Sequence, residues 1–446
     1  MVQGPGSASA SAPTDWRGRD RQMGSATTVS VRSCDDVELG GARARPEPAR
    51  VSACIERFTD WLDEYGETSW DHQSYYAGPI GRRAKALYYS HPGLGVPAVL
   101  PMVISEALIP AGRRLFWRRQ RFPIADAHYA MGFAALSVLT GKGAHLDRAR
   151  HFLEVLEGTR CQGYEHHGWG YPFDWVTRTG VMKSGTPLIT TTPYVYEAFA
   201  SVQALDPAAW QVDVMRSVAE HALRDIPDRV ISEDTSAAGY NPQDRQGCVV
   251  NASAYRAFLL FEAADRFASD EYARTAGRNL NFVLESQRPD GAWPYAIDGE
   301  RDFVDHFHTC FVLKALAKIE QVTGDARCTR AIEAGVRYYT EHLFYEDGLP
   351  RPFSRAPRLT VYRSELYDYA ECINLGVLLR GRFASLDGRV EAAVGDLLTR
   401  WQKRDGSFRS RKLIFGWDNV PMHRWAQAQL FRALVLYRYG SDHKAA

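Results

Sequence analysis

The amino-acid sequence predicts an all-α fold, an (α/α)6 toroid of six helical hairpins with long loops on one face. Three observations carry this. Apolar helices recur at a near-constant spacing, more polar amphipathic helices alternate with them, and strand signals are weak enough to leave only short hairpins in the loops.

The helix HTCFVLKALAKIEQVTG, starting at His308, sets the pattern. Phe311, Val312, Ala315, Leu316, Ile319 and Val322 follow a 3.6-residue period, and Gly324 ends it. HYAMGFAALSVLTG, from His128, has the same opening, a leucine at the same offset (Leu136 and Leu316) and the same Thr-Gly stop. Similar helices start near Thr191, Asn251, Ala370 and His423, so successive starts are 63, 60, 57, 62 and 53 residues apart. Between them lie more charged helices at 51–65, 145–157, 211–225, 270–287, 325–342 and 389–402. Each unit is thus a polar outer helix and an apolar inner one. A linear array would need capping repeats, whereas six pairs can close on themselves. In a closed ring every inner helix runs the same way, and the long loops preceding them emerge on one face.

Composition narrows the function classes. The 446 residues carry 54 basic and 53 acidic side chains, a net charge of +1, with no overall field favouring nucleic acid or membrane. Only eight of the basic residues are lysine; the arginine excess could suit anionic substrates, but a GC-rich coding bias is the better explanation. Seven cysteines, odd in number and without CxxC spacing, point to a reducing, cytoplasmic setting and away from a disulfide framework or zinc knuckle. There is no signal-like apolar region at the N-terminus and no apolar run of about 18 residues, so no integral membrane segment is expected. Residues 1–48, rich in Gly, Ser, Ala, Pro and Arg, are expected to be disordered, 49–440 to form the toroid and 441–446 a tail.

The unusual chemistry sits in the long loops. CQGYEHHGWGYPFDWVTRTGVMKSGTPLITT contains Trp169, Tyr171 and Asp174. Aromatic rings between glycines in a concave mouth suit sugar stacking, and suit loop packing equally. Asp305 and His308 stand at i and i+3 and share a helical face, so the carboxylate can orient the imidazole. Asp305 is equally suited to an N-cap, and for His306 or His308 a buried ring held by hydrogen bonds is the commoner outcome. His306, His308 and Cys310 are two apart and do not converge on a helix, so no metal is expected, and no cofactor. Asp174, Glu365, Asp368 and Glu371 lie at loop ends; glycoside hydrolysis needs two carboxylates about 5–10 Å apart. The related phrases QRPDGAW, from Gln287, and QKRDGSF, from Gln402, read as structural: Gln ties down backbone, Asp-Gly turns, and the aromatic packs beneath.

Several of these segments resemble a known family. GWGYPFDW, TPLITTTPYVYEAF, GYNPQD with VVNASAY, and QRPDGAWPYA with FVDHFHTCFVLKAL are similar to bacterial toroid proteins linked to exopolysaccharide biosynthesis and described as prenyltransferase-like. The resemblance covers roughly residues 120–325 and implies association with a polysaccharide assembly machinery, but transfers no catalytic residue. WAQAQLFRAL, from Trp425, resembles more weakly the C-terminal end of uronyl C5-epimerases. The Gln-Asp-Gly-aromatic phrase looks like the repeat of triterpene cyclases, but the acid motifs of those enzymes are missing.

The expected function is therefore carbohydrate chemistry on a glycan, by an epimerase, lyase or hydrolase route. His308, oriented by Asp305, and Tyr171 or Tyr240 are the acid/base candidates, with Asp174 as the alternative acid for glycosidic cleavage. Trp169 and Trp293 would be stacking platforms and Asn251 a polar anchor. His306, Tyr295, Arg245, Tyr369 and His423 would make further substrate contacts. The alternatives are a non-catalytic glycan-binding scaffold and a terpenoid cyclase-like enzyme.

Overall fold

A computed structural model describes residues 46–178, 180–357 and 360–442. The expected disordered segment up to residue 45 and the tail beyond residue 442 lie outside the described residues. Helix α1 spans Pro48–Tyr65. It is followed by a short α2 (Ser74–Ala77), α3 (Pro79–Ser90), α4 (Pro92–Leu108) and a 3-10 turn, Pro110–Leu115. Five inner–outer hairpins come next: α5 (Pro123–Thr140) with α6 (Gly143–Gly158), α7 (Thr192–Gln203) with α8 (Ala209–Glu220), α9 (Val250–Phe267) with α10 (Asp270–Glu285), α11 (His306–Thr323) with α12 (Ala326–His342), and α13 (Leu366–Leu378) with α14 (Ala384–Asp396). A π turn, His423–Gln427, leads into the last helix, α15 (Ala428–Asp442).

Packing closes the ring. Helices α5, α7, α9, α11 and α13 each contact the next inner helix, α13 contacts α15, and α15 returns to α5. The sixth pair is made from the two ends of the chain, with α1 lying outside α15. Inner helices are enclosed on most sides; in α11, Cys310 through Ala317 are all buried. Outer helices bury one stripe: Tyr272, Ala276, Leu280 and Val283 of α10 face inward, while Glu271 and Arg274 are exposed. The Thr-Gly stop ends α5 at Gly141 and α11 at Gly324, and each short turn leads straight into an outer helix.

The predicted fold class and six-pair repeat match this architecture. One region did not announce itself. Residues 74–115, between the first outer and first inner helix, form a helical insertion, and its sequence shows no clean period because Pro97 and Pro101 sit inside α4. Among the described residues the long loops carry only short antiparallel strands: β1 (Trp175–Thr177) with β2 (Gly180–Met182), β3 (Asp228–Val230) with β4 (Ser236–Ala238), β5 (Val304–Asp305) with β6 (Phe353–Arg355), and β7 (Tyr362–Glu365) with β8 (Arg411–Leu413) and β9 (Trp417–Asp418).

The two Gln-Asp-Gly-aromatic phrases are joints between outer helices. The Gln287 amide donates to Gly291 O and, on α12, to Ala331 O, both at 3.0 Å. The Gln402 amide donates to Gly406 O at 3.0 Å and, on α1, to Cys54 O at 2.8 Å. Asp290 and Asp405 each accept the backbone amide two residues on, at 3.0 Å. The closing aromatics, Trp293 and Phe408, are buried. Gly291 and Gly406 have φ of +92° and +91°, and a Cβ on either would meet a carbonyl of the next outer helix, Ala334 O at 2.3 Å or Arg57 O at 2.1 Å.

Replacing Gly406 with alanine combines left-handed strain with a backbone clash, and is expected to cost about 2 kcal/mol or more in chemical denaturation. Gly388→Ala, in open space on α14, is the control and is expected to be neutral or stabilising by about 0.5–1 kcal/mol. Equal effects from the two substitutions would refute the joint.

Candidate functional site

Asp305 and His308 form the clearest constellation. Strand β5 delivers Asp305 to the N-terminus of α11, where its two oxygens take different partners. Oδ1 accepts the His308 backbone amide at 2.9 Å, capping the helix, and Oδ2 lies 2.6 Å from His308 Nδ1. The N-cap and the imidazole-orienting role are both filled by one buried carboxylate. With Nδ1–H committed to Asp305, the free lone pair of the neutral ring is on Nε2, which has no partner among the described residues. The His308 side chain is 21% exposed, so Nε2 meets the loop-side space. Aromatic rings surround it: Phe307 at 4.3 Å, Tyr295 at 4.6 Å and Phe311 at 5.4 Å between centroids.

A cationic wall stands nearby. Arg424, in the π turn before α15, donates from Nε to Asp71 Oδ2 at 2.5 Å. Its Cζ lies 3.5 Å from the Trp425 ring centroid and 4.5 Å from that of Tyr171. Nη1 and Nη2 are buried without a hydrogen-bond partner. Trp425 stacks on Tyr367, and Tyr367 packs against Phe307 at 4.9 Å, so the rings run continuously from the arginine to the His308 side. Tyr171 and Tyr295 add to the burial that raises the phenol of Tyr240, and Tyr171 does the same to those of Tyr295 and Tyr367. Four phenols therefore converge, all held neutral chiefly by burial. The Tyr240 hydroxyl accepts from Thr190 at 3.2 Å.

Beneath the rings, charge is paired along the axis. Lys314 Nζ sits 2.6 Å from Glu371 and 3.3 Å from the Tyr194 hydroxyl, which in turn meets the Tyr255 hydroxyl at 2.6 Å. Beside this, Arg411 donates to Glu365 at 2.8 Å and to Glu106 of α4 at 2.7 Å, and neutral His72 lies between those two acids. Burial, then the Arg411, Arg113 and Arg424 charges, holds His72 well below the usual imidazole range. Asp368 is fully buried and neither of its oxygens has a hydrogen-bond partner. Burial, reinforced by Glu365 and Asp305, raises it well above the usual carboxylate range. Among the described residues no three His, Cys, Asp or Glu side chains are grouped to hold a metal.

Other expected site residues have structural places. Trp169 and Trp293 are not open platforms; both are buried, with indole N–H groups donating to Leu156 O at 2.8 Å and Val283 O at 2.9 Å on their own outer helices. His306 and His423 are buried at equivalent helix starts. His306 Nδ1 meets Leu343 O at 3.0 Å and its Nε2 the Tyr339 hydroxyl at 2.6 Å. His423 Nε2 meets Gly66 O at 3.0 Å and its Nδ1 the Tyr129 hydroxyl at 2.6 Å. Tyr369 faces α14 and donates to Asp396 at 2.9 Å. Asp174 is ion-paired to Arg82 of the insertion and accepts the Ser184 amide at 3.0 Å. Its partial burial favours the neutral form, but the Ser184 amide, Lys183 and Arg82 outweigh that and hold the carboxyl below its usual range. That is the opposite of what a general acid needs. Asn251 is buried with Oδ1 unpartnered, and Arg245 is exposed on the loop after β4. Arg424 and Tyr367 were not among the candidates; Arg424 adjoins His423 in the sequence, and its neighbour's signal was the closest pointer.

No family model matches the chain, and no curated protein matches it in sequence, so the exopolysaccharide-linked family stays an expectation. Solved structures do match in fold. A cellobiose 2-epimerase from Bacillus thermoamylovorans aligns over 72% of this chain and 88% of its own, with a TM-score of 0.56 and 11% identity. A glycosyl hydrolase of family 88 from Bacteroides vulgatus aligns over 89% and 99%, with a TM-score of 0.56 and 11% identity. A polysaccharide lyase aligns over 89% and 98%, with a TM-score of 0.54 and 12% identity. The all-α toroid is thereby shown.

Burial pushes His306 and His423 down to about 3, against backbone carbonyls that pull the other way. As pH falls below 6.5 the unfolded chain takes up these protons before the folded chain does. The stability they contribute is present above that pH and is lost progressively toward pH 3. Thermal unfolding is expected to shift to lower temperature across this window, and His306→Gln, which cannot titrate, to flatten the slope. A midpoint constant across the window would contradict the neutral buried assignment.

Proposed function

We propose that the chain is a carbohydrate-active enzyme that moves a proton on a uronate residue of a glycan, as an epimerase or lyase. The observation that carries this is the His308–Asp305 pair, with Nε2 free at an aromatic, partly exposed surface. His308 Nε2 would take the C5 proton of the uronate. The electron pair left on carbon delocalises into the adjacent carboxylate, where the positive charge and free fork of Arg424 would stabilise it. A neutral phenol, Tyr171, Tyr240 or Tyr295, would then return a proton to the opposite face of C5, giving epimerisation. Alternatively the carbanion expels the O4 substituent, a C4=C5 double bond forms, and the phenol protonates the departing oxygen. The partly exposed rings of Tyr295 and Phe307 would offer the apolar faces for sugar stacking that Trp169 and Trp293 do not.

Hydrolysis by a carboxylate pair has less support. Asp174 is held ionised, Asp305 is committed to His308, and Glu365, Asp368 and Glu371 are buried. The fold neighbours, an epimerase, a glycosyl hydrolase and a polysaccharide lyase by name, support sugar chemistry without choosing among reactions. A terpenoid cyclase-like reading draws on one observation, the deeply buried acid Asp368 with its raised pKa, but Arg411, Glu365 and Glu371 charge its surroundings, where a cyclase needs an apolar funnel. A glycan-binding scaffold would leave the His308–Asp305 pair without a use.

Incubation with uronate and neutral glycans in deuterated water, followed by NMR, tests the reading. Deuterium at C5 or a new vinylic signal is expected from uronates alone, and His308→Ala should lower the rate by about 10²–10⁴-fold. Arg424→Lys, which keeps the charge and loses the fork, is expected to lower kcat/KM by about tenfold or more. New reducing ends without exchange would favour hydrolysis. No change with any glycan would remove the enzymatic reading.

A further inference from the structure

The helical insertion presents an apolar face to solvent. On α4, Val96, Leu100, Ile104 and Leu108 recur every four residues along one side, and all are exposed. Leu94 and Ile109, at the two ends of α4, and Leu115 and Ile80 beyond it are exposed as well; Leu94 is 68% exposed and Leu115 89%. Eight large aliphatic side chains lie open within 36 residues, 80–115, whereas monomer surfaces usually scatter them singly. Met102 and Ser105 turn the other way, Ser105 meeting the Tyr75 hydroxyl at 3.1 Å. Glu106, the one charge on α4, is taken up by Arg411.

The surrounding charge is one-sided. Residues 79–121 hold eight arginines and lysines and one acid, in a protein whose net charge is +1. Arg82, Arg113 and Arg121 are used internally, on Asp174, Asp418, and Glu67 with Asp126. Arg83, Arg114 and Arg118 are exposed and have no ion pair among the described residues. We infer that the α3–α4 hairpin docks the protein on an anionic lipid bilayer, with the aliphatic stripe in the interface and these arginines on lipid phosphates. Apolar area and cationic charge are the two signals that stable peripheral attachment needs. A second copy fits poorly, because a self-complementary pairing would set arginine against arginine. No helix among the described residues is long and apolar enough to cross a membrane, and α4, about 25 Å long, would lie in the interface plane.

Arg82 ties α3 to Asp174, and Glu106 ties α4 to Arg411, both on long loops of the toroid. Docking would therefore bring those loops toward lipid and favour a lipid-borne glycan. That last step rests on the proposed function; the docking does not.

Flotation of the full chain with vesicles tests the docking without reference to activity. Phosphatidylcholine vesicles containing phosphatidylglycerol should capture the protein, phosphatidylcholine alone should capture much less, and raised salt should weaken capture. The triple variant L100E/I104E/L108E should bind at least about tenfold more weakly, and so should R83E/R114E/R118E on the anionic vesicles. All six side chains are exposed, and unchanged circular dichroism and melting would show that the variants fold. Failure of the parent protein to bind anionic vesicles would overturn the inference. So would unchanged binding by the aliphatic variant, or concentration-dependent dimerisation that the same variant abolishes in place of vesicle binding. Binding without turnover of any glycan would leave the docking standing and count against the enzymatic reading.

Discussion

Closure of the helical ring is the constraint on which the rest depends. An inner helix buried on most of its surface needs neighbours on both sides, and a linear stack would leave two such helices open. Here α15 finds α5 on one side, and α1 covers it from outside. The joint at this seam matches one inside the ring. Gln402 reaches Cys54 as Gln287 reaches Ala331, and Gly406 lies against Arg57 as Gly291 lies against Ala334. The contact that seats one outer helix on the next thus also fastens the last outer helix to the first. Tyr171, His308 and Arg424, far apart in the chain, share one region only because the ring shuts, and their positions are set before any ligand arrives.

The helix starts do two jobs at adjacent positions. His306 and His423 are neutral rings that bind a loop carbonyl on one nitrogen and a tyrosine hydroxyl on the other, fixing where the inner helix begins. One or two residues later come Arg424 and His308, which turn toward the aromatic surface. A buried histidine satisfied on both nitrogens cannot exchange protons with a ligand, yet it is what holds its neighbour's direction. Removing it would be felt at the site through geometry and not through chemistry.

This offset explains what the sequence could and could not disclose. The repeat was legible because each helix carries its own period and stop signal. The Gln-Asp-Gly joints were legible because turn chemistry is local. The Asp305–His308 pairing was legible from i, i+3 geometry alone. The fate of single rings was not. Trp169 and Trp293 have the amphipathic character of a sugar platform, but the loop folds back and seats each indole N–H on a helix carbonyl some ten residues earlier. Asp174 looked like a free carboxylate because its partner, Arg82, lies 92 residues earlier on α3, in the insertion that no clean period announced. Arg424 went unread because nothing in its own neighbourhood shows that Tyr171 will lie under its guanidinium.

The insertion also shows why a net charge near zero excludes little. Acidic and basic residues cancel over the whole chain but not over residues 79–121, and a surface responds to its own patch within a Debye length of about 10 Å. The direction in which α4 faces adds to this. Its only acid points inward to Arg411 and its aliphatics point outward, the reverse of what water alone would select. Leaving a large aliphatic side chain in water forgoes about 1.5–3 kcal/mol of burial, and the stripe does so repeatedly. Turning the helix over would gain that burial but would strand Arg411 beside Glu365 without Glu106 and release the loop it holds. The ion pair under α4 therefore commits its outer face to stay apolar and open, a conformation whose stability rises when an apolar phase covers it.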